Sequence, residues 1–196
     1  MTAIKTPRQL RQSLRHQRNA LTSIQQRLHG KAVARQLMRH PWFQRARTIA
    51  VYLDNDGELQ TDSIIQLSRQ LNKRLVLPVL HPFRHGHLLF RDWPVNARMQ
   101  PNQFRIKEPA RKYAVVDTRS IDLVIAPLVG FDDRCYRIGM GGGYYDRTFS
   151  FRHVNSWRKP RLVGIAHALQ QLETVDNRAW DIALDIVITE KKIFRR

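Results

Sequence analysis

The sequence has one cysteine, few acidic residues and no long apolar run. Because Cys135 is alone among 196 residues, no disulfide can form within the chain, and a reducing cytoplasm is the expected location. The longest apolar run, residues 123–129, contains Pro127 and is too short to span a membrane, so we expect no membrane association. The basic N-terminus is not followed by the apolar core of a secretory signal.

Acidic side chains number 16 against 34 lysines and arginines, which gives a formal charge of +18. Such an excess attracts anions, whether nucleic acids, anionic lipids, nucleotides or polycarboxylates. The basic residues are spread along the chain, and no helix-turn-helix, zinc-finger or RNA-binding motif accompanies them. The charge therefore indicates an anionic partner without identifying it. Nucleic-acid binding remains the alternative from another functional class, although we do not expect it.

Hydrophobic periodicity predicts an α/β protein. Helices are predicted over residues 7–19 and 23–39, after Thr61 and from Tyr144, with Thr22 and Ser23 as caps of the second helix. Between them lie short β-rich runs at residues 48–53, 74–80, 123–127, 162–166 and 186–189, with a hairpin at 86–93.

The alternation of strands and helices predicts a single domain over residues 1–196, a three-layer α/β/α sandwich with a mostly parallel, Rossmann-like sheet. Pro78 predicts that its strand lies at an edge or ends there. The proline-containing stretch 94–109 is predicted to be a surface loop. Ligands of parallel sheets bind beyond the carboxyl ends of the strands, here after Leu53, Pro127 and Ala166.

A glycine cluster follows the strand at 123–127. Gly139, Gly141, Gly142 and Gly143 fall within five residues, just before a predicted helix. Glycine lets main-chain N–H groups converge on an anion, and a carboxylate at the start of the helix, Asp146, could hold magnesium beside it. Neither the Walker loop nor the dinucleotide fingerprint matches this segment. A tight strand-to-helix turn with a capping aspartate therefore remains an alternative.

The string as a whole is more specific than its glycines. It resembles the signature of the 5-formyltetrahydrofolate cyclo-ligase family, and departs from it at Cys135, where glycine is common, and conservatively at Ile138. The matching residues are Pro127, Phe131, Asp132, Arg137, Gly139, Gly141, Gly143, Tyr144, Tyr145 and Asp146. Four further segments resemble family elements in the same order: 8–11, 52–58, 105–109 and 180–185.

The resemblance implies the conversion of 5-formyltetrahydrofolate to 5,10-methenyltetrahydrofolate with ATP and Mg²⁺. Separately, we expect a monomer. It implies that Arg137 and Tyr144 act in catalysis and that Asp146, together with Asp181, holds the metal. Substrate contacts are implied for Leu53, Glu58, Arg105, Lys107 and Tyr144. ATP contacts are implied for Lys5, Arg8, Arg11, Arg137, Gly139, Met140, Gly141, Gly142, Gly143, Tyr144 and Tyr145, with Lys5 or Arg8 replacing a family lysine near Pro7.

Three features leave other interpretations open. Asp54 and Asp56 stand beside Glu58 and could have altered the substrate that the pocket accepts. The histidines of HPFRHGH, residues 81–87, match no standard zinc spacing and are predicted to lie in a polar turn. Cys135 lies between arginines that could lower the pKa of its thiol, yet a neutral packing role is the expectation.

Overall fold

The computed structural model describes residues 6–103, 106–154 and 159–196, with Val154 described by its main chain alone. The first two helices have the predicted bounds, because Thr6 and Thr22 each accept a hydrogen bond from the main-chain N–H of a glutamine three residues later, and that glutamine reaches back. The helices are α1 (Pro7–Asn19), α2 (Ser23–Arg39), α3 (Pro41–Arg45), α4 (Asp62–Gln70), α5 (Tyr144–Thr148) and α6 (Phe151–Val154).

A mixed, mostly parallel sheet forms the centre. Its strands are β1 (Thr48–Ala50), β2 (Arg74–Leu80), β3 (Leu88–Asp92), β6 (Val115–Val116), β7 (Leu123–Ala126), β10 (Arg161–Ile165), β11 (Ile186–Ile188) and β12 (Ile193–Arg195). Two small ribbons consist of β4 (Met99–Pro101) with β5 (Lys107–Pro109), and β8 (Gly130–Phe131) with β9 (Arg137–Ile138). The eight strands lie in the order β12-β11-β10-β7-β1-β2-β3-β6. The five strands from β11 to β2 are parallel, whereas the outer strands β12, β3 and β6 are each joined to the sheet by antiparallel pairing.

Both faces of the sheet are covered, which confirms the predicted layered α/β fold. One face packs against α2, α3 and α4 through residues such as Leu37, Phe43 and Ile64. The other face is covered by the short helices α5 and α6 and by loops, with Phe131 and Phe149 fully buried. No helix in the three described ranges is long and apolar enough to cross a bilayer.

Pro78 does not mark an edge strand, so that alternative was wrong, although β2 ends two residues later at Leu80. It lies in β2, between β1 and β3. The carbonyl of Val76 accepts from Val51, which shows that Val76 turns its main-chain groups towards β1. Pro78, two residues later, turns the same way but lies past the last β1 partner, Ala50. Its missing N–H therefore removes no bond from the sheet.

Other predictions need smaller corrections. The first strand ends at Ala50 rather than residue 53, although Val51 still bonds to Val76. The stretch 94–109 is not only a loop, because β4 and β5 pair within it. Thr61 stands at the N-cap of α4 without a side-chain capping bond; its hydroxyl bonds to Tyr52 and Asp54 instead.

A buried arginine joins α1 to the loop after β1. Arg18 is 1% exposed, and its guanidinium donates to the main chain and carboxylate of Asp56 and to the carbonyl of Leu128. Asp56 also receives bonds from Arg15 and Asn19, and its φ of 52° is in the left-handed region. These bonds fix the loop that carries Glu58.

We expect Asp56→Asn to destabilise the protein by about 2 kcal/mol, because it leaves a buried guanidinium without its counter-charge. Asparagine retains the left-handed backbone conformation, so the change tests charge rather than strain. The matched variant is Arg15→Gln, whose 42% exposed side chain should contribute less than about 1 kcal/mol. Urea unfolding of both variants measures the difference, and equal losses would contradict this account.

Candidate functional site

A cavity of about 280 Å³ lies at the carboxyl ends of β1, β2 and β7. This is the position that the strand order predicts for a ligand site. Its walls come from the loop after β1, the end of β2, the ribbon β4–β5, the loop after β7 and the glycine segment, residues 139–143. The lining residues are Tyr52, Leu53, Glu58, Leu77, Pro78, Leu80, Leu88, Asn102, Ile106, Lys107, Glu108, Pro127, Leu128, Val129, Arg137, Gly139, Met140, Gly142, Gly143, Tyr144, Tyr145 and Asp146.

Two arginines donate hydrogen bonds to main-chain carbonyls of the glycine segment. Arg11 on α1 donates from Nε to the Gly139 carbonyl at 2.8 Å. Arg147 donates to the carbonyl of Gly142 through its guanidinium and to that of Gly143 through its main-chain N–H. Gly141 and Gly143 have φ values of 98° and 59°, a region that disfavours side chains. These contacts fix the segment through its acceptors.

The main-chain N–H groups of residues 139–145 differ from the carbonyls in their hydrogen bonding. Among the described residues, none of them donates a hydrogen bond. Because α5 has only five residues, its dipole adds little to the field, and the N–H groups themselves are the relevant donors. A segment with bonded carbonyls and unbonded N–H groups is suited to bind an anion.

Arg137 and Asp146 meet at the base of this segment. Arg137 Nη2 lies 2.8 Å from Asp146 Oδ1, and the arginine side chain is 6% exposed. The main chain of Ile182 bonds to both, accepting from Arg137 and donating to Asp146 Oδ1 at 3.1 Å. Within the described residues, Asp146 Oδ2 accepts no hydrogen bond. One carboxylate oxygen thus anchors the segment, while the other is available to a cation.

Asp181 is not brought into the cavity by its side chain. Its Oδ2 accepts from the main-chain N–H of Arg178 at 2.8 Å, and Asp181 is not a lining residue. The hydrogen bond from this stretch of chain to Asp146 comes from the main-chain N–H of the next residue, Ile182. The shared metal site of Asp146 and Asp181 remains a prediction.

Glu58 gives the cavity an unusual acid. Its carboxylate accepts from the Asn55 N–H at 3.2 Å, and burial raises its pKa to about 7 despite the opposing charge of Arg18. Burial and then the nearby Glu58 raise the pKa of the Tyr145 phenol. Near pH 7, Glu58 can therefore either accept or donate a hydrogen bond within an otherwise largely apolar wall.

The other predicted residues divide into three groups. Leu53, Lys107, Met140 and Tyr144 line the cavity as expected. Arg11 contacts the glycine segment from outside the cavity, and Arg8 is exposed and does not line it. Lys5 and Arg105 lie outside the described residues.

Sequence reasoning did not single out several wall residues. Leu77, Pro78 and Leu80 lie at the end of β2, and the rule of strand ends could have identified them. Asn102 could not be placed, because the stretch 94–109 predicts a loop and not the ribbon β4–β5, whereas Ile106 and Glu108 belong to the segment 105–109 that the family resemblance indicated. Glu108 anchors that ribbon, since its Oε1 accepts from Leu80 N at 3.1 Å and from Asn102 Nδ2 at 2.7 Å.

The polar turn predicted for residues 81–87 and the packing role predicted for Cys135 are both confirmed. The Nδ1 atom of His81 accepts from the main-chain N–H groups of Phe83 and Arg84, as expected of a polar turn. Cys135 is fully buried, and burial raises the pKa of its thiol to about 11, so it is a packing residue.

Comparison with known proteins decides the family. The model of the 5-formyltetrahydrofolate cyclo-ligase family matches residues 3–190. This chain belongs to that family. It is 39% identical to the 5-formyltetrahydrofolate cyclo-ligase of Escherichia coli K12 over 184 residues, which cover 92% of this chain and 98% of that protein. It is 36% identical to the enzyme of the same name from Haemophilus influenzae, over 92% of this chain and 96% of that protein.

A solved structure agrees with the family assignment. The NMR structure of 5,10-methenyltetrahydrofolate synthetase from Aquifex aeolicus superposes with a TM-score of 0.80 at 28% sequence identity. The match covers 96% of this chain and 92% of the other. The family assignment thus applies to the fold as well as to the sequence.

We expect Glu58→Gln to stabilise the protein above pH 7. The folded-state pKa of Glu58 is raised from 4.5 to about 7, so ionising it opposes folding increasingly between those values and fully above them. Glutamine removes this opposition, up to about 3 kcal/mol at pH 8 and much less at pH 5. Thermal melts at both pH values test this, with the exposed Glu173→Gln as the control. A gain that did not grow with pH would contradict it.

Proposed function

We propose that this chain catalyses the ATP- and Mg²⁺-dependent conversion of 5-formyltetrahydrofolate to 5,10-methenyltetrahydrofolate, with release of ADP and phosphate. Family membership supports the reaction class, and the names of the bacterial relatives support the substrate. The observation that carries the proposal for ATP is the set of unbonded N–H groups of residues 139–145 beside the cavity.

The glycine segment is proposed to hold the phosphates of ATP. Its N–H groups supply several donors to one anion, and Arg137 adds a full positive charge at the same wall. Arg137 is already ion-paired with Asp146, so the charge is held in place before the ligand arrives. Arg8, Arg11, Met140 and Tyr145, with Lys5 from outside the described residues, complete the proposed nucleotide contacts.

Asp146 is the residue on which the structure supports magnesium binding. Its Oδ2 accepts no hydrogen bond from the part of the chain that the structure describes, and a carboxylate oxygen at the cavity wall is the ligand type that Mg²⁺ prefers. Asp181 is the proposed second ligand and would have to release the Arg178 N–H. When bound, the ion would neutralise charge on the phosphate oxygens.

The folate is proposed to occupy the part of the cavity opposite the glycine segment. Glu58 offers hydrogen bonds to the polar edge of a pterin, and Leu53 and Tyr144 offer apolar and aromatic surface. Lys107, with Arg105 from outside the described residues, is proposed to contact the anionic tail of the substrate. A folate with several glutamates would suit the surplus of positive charge.

The proposed chemistry consists of activation and ring closure. Transfer of the terminal phosphoryl group to the formyl oxygen converts a poor leaving group into a good one. Attack by N10 of the folate on the activated carbon then expels phosphate and closes the ring. Arg137 is proposed to stabilise charge on the transferring group, and Tyr144 to orient the substrate beside it, since both residues line the cavity.

Other proposals follow from the sequence. We propose a monomer, and a cytoplasmic location, which fits a chain whose single cysteine is a buried free thiol. Nucleic-acid binding rests only on the net charge, and an altered substrate rests on Asp54 and Asp56. Both aspartates have local partners, Thr61 for Asp54 and Arg15, Arg18 and Asn19 for Asp56, which leaves Glu58 as the polar residue of that loop in the cavity wall.

The activity is tested by mixing purified protein, ATP, Mg²⁺ and 5-formyltetrahydrofolate and recording methenyltetrahydrofolate absorbance. We expect product formation that depends on Mg²⁺. Asp146→Asn should reduce the rate at least about a hundredfold, because it removes both the carboxylate that forms the ion pair with Arg137 and the proposed metal ligand. The exposed Asp176→Asn is the control and should retain activity. Absence of product with well-folded wild-type protein, together with a salt-dependent gel shift, would favour the nucleic-acid alternative.

A pair of glycine variants separates ligand binding from folding. A Cβ at Gly139 would meet no described atom within 4 Å, so Gly139→Ala should leave thermal stability unchanged yet weaken ATP binding by steric exclusion. At Gly141, with φ of 98°, alanine should cost about 1–2 kcal/mol in folding. Calorimetric titration with ATP and thermal melts measure both effects. Unaltered ATP affinity in Gly139→Ala would show that the nucleotide does not approach this segment.

A further inference from the structure

A second group of ligating side chains lies outside the cavity. His29 on α2, His167 after β10 and Glu190 after β11 have side-chain nitrogen or oxygen atoms that all lie within 4.8 Å of one another. None of the three lines the cavity. The proposed reaction uses none of them.

The geometry of this histidine cluster is convergent. The two Nδ1 atoms are 2.9 Å apart, and Glu190 Oε2 is 3.9 Å from His29 Nδ1. The imidazole planes are inclined at 56°, so the rings do not stack. In a tetrahedral site with Zn–N bonds of about 2.0–2.1 Å, neighbouring ligand atoms are about 3.3 Å apart. An ion would require shifts of roughly half an ångström in these two distances, and the separation between His167 and Glu190, which is at most 4.8 Å, would have to reach a similar value.

The protonation state is also suitable. His167 has no solvent exposure, and burial, followed by the neighbouring His29, lowers its pKa to about 4. The imidazole is thus neutral at pH 7 and has a nitrogen lone pair, as metal binding requires. Two neutral imidazoles can alternatively share one proton as an N–H···N hydrogen bond, and the experiment must distinguish these arrangements.

Access and ligand orientation complete the argument. The side chains of His29 and Glu190 are 22% and 13% exposed, which opens one side of the cluster to solvent. Glu190 Oε2 accepts from the main-chain N–H of Ala168 at 2.9 Å, which holds the carboxylate towards His167. Carboxylates that bind metals are commonly oriented by such outer hydrogen bonds.

We propose that His29, His167 and Glu190 bind one divalent transition-metal ion of the Zn²⁺ class, with water in the remaining position. Two imidazoles favour such ions over Mg²⁺, which prefers oxygen ligands. The ion would join α2 to the ends of β10 and β11, so we assign it a structural role separate from the proposed phosphate site.

The test uses chelator-treated full-length protein with Mg²⁺ in excess, which occupies oxygen sites. Titration with Co²⁺ should give visible absorption bands that saturate at one ion per chain and disappear when Zn²⁺ is added. His29→Gln and Glu190→Gln should each weaken binding at least about tenfold. His87→Gln, in the exposed turn, should leave it unchanged. Zn²⁺ should raise the melting temperature of the wild type but not that of His29→Gln.

Two results would overturn the proposal. One is the absence of Co²⁺ bands in the wild type, which would mean that the two rings only share a proton. The other is equal affinity in the wild type and His29→Gln, which would place the ion elsewhere. Circular dichroism checks that the variants are folded, and both altered side chains are partly exposed. Cyclo-ligase activity is measured separately, so failure here leaves the proposed function standing.

Discussion

The ion pair between Arg137 and Asp146 closes the glycine segment at its base. The two residues are nine positions apart, and the main chain of Ile182 bonds to both of them. Arg11 and Arg147 then hold carbonyls at Gly139, Gly142 and Gly143. A loop with four glycines would otherwise lose much of its conformational freedom on binding a ligand. Because hydrogen bonds to its carbonyls hold the glycine segment in place, its main-chain N–H groups are oriented before a ligand binds.

Part of the positive charge also has a structural explanation. Several arginines donate from their guanidinium groups to main-chain carbonyls. Arg91 donates to the carbonyls of residues 111 and 113, and Arg134 donates to that of Val175. Arg18 and Arg137 are nearly buried and act the same way. A guanidinium offers five donors and can therefore bond to several acceptors at once. The net charge consequently overstates how much positive surface is available to a ligand.

Local signals were enough for some parts of the fold. Threonine followed three residues later by glutamine fixes the start of α1 and of α2, so the bounds of these helices could be predicted without knowing their neighbours. Pro78 was misleading because its effect depends on where the pairing with β1 ends, which is a non-local fact. The direction of the Asp181 carboxylate depends in the same way on a local turn at Arg178 that one sequence does not reveal. Cys135 has a φ of 62°, a left-handed conformation that glycine adopts more readily than cysteine, and this departure from the signature could not be interpreted without the backbone.

The carboxyl end of the sheet is divided between two different chemical environments. Strands β1, β2 and β7 end at the cavity, whereas β10 and β11 end at the histidine cluster. The boundary is rigid, since Gln170 Nε2 donates to the carbonyls of Leu128 and Val129, both in the cavity wall, and its Oε1 accepts from the His167 N–H. Arg18 also donates to the Leu128 carbonyl. Gln170 therefore joins the main chain at His167 to two carbonyls of the cavity wall through buried hydrogen bonds, and a fully satisfied buried polar group of this kind fixes its neighbours relative to one another.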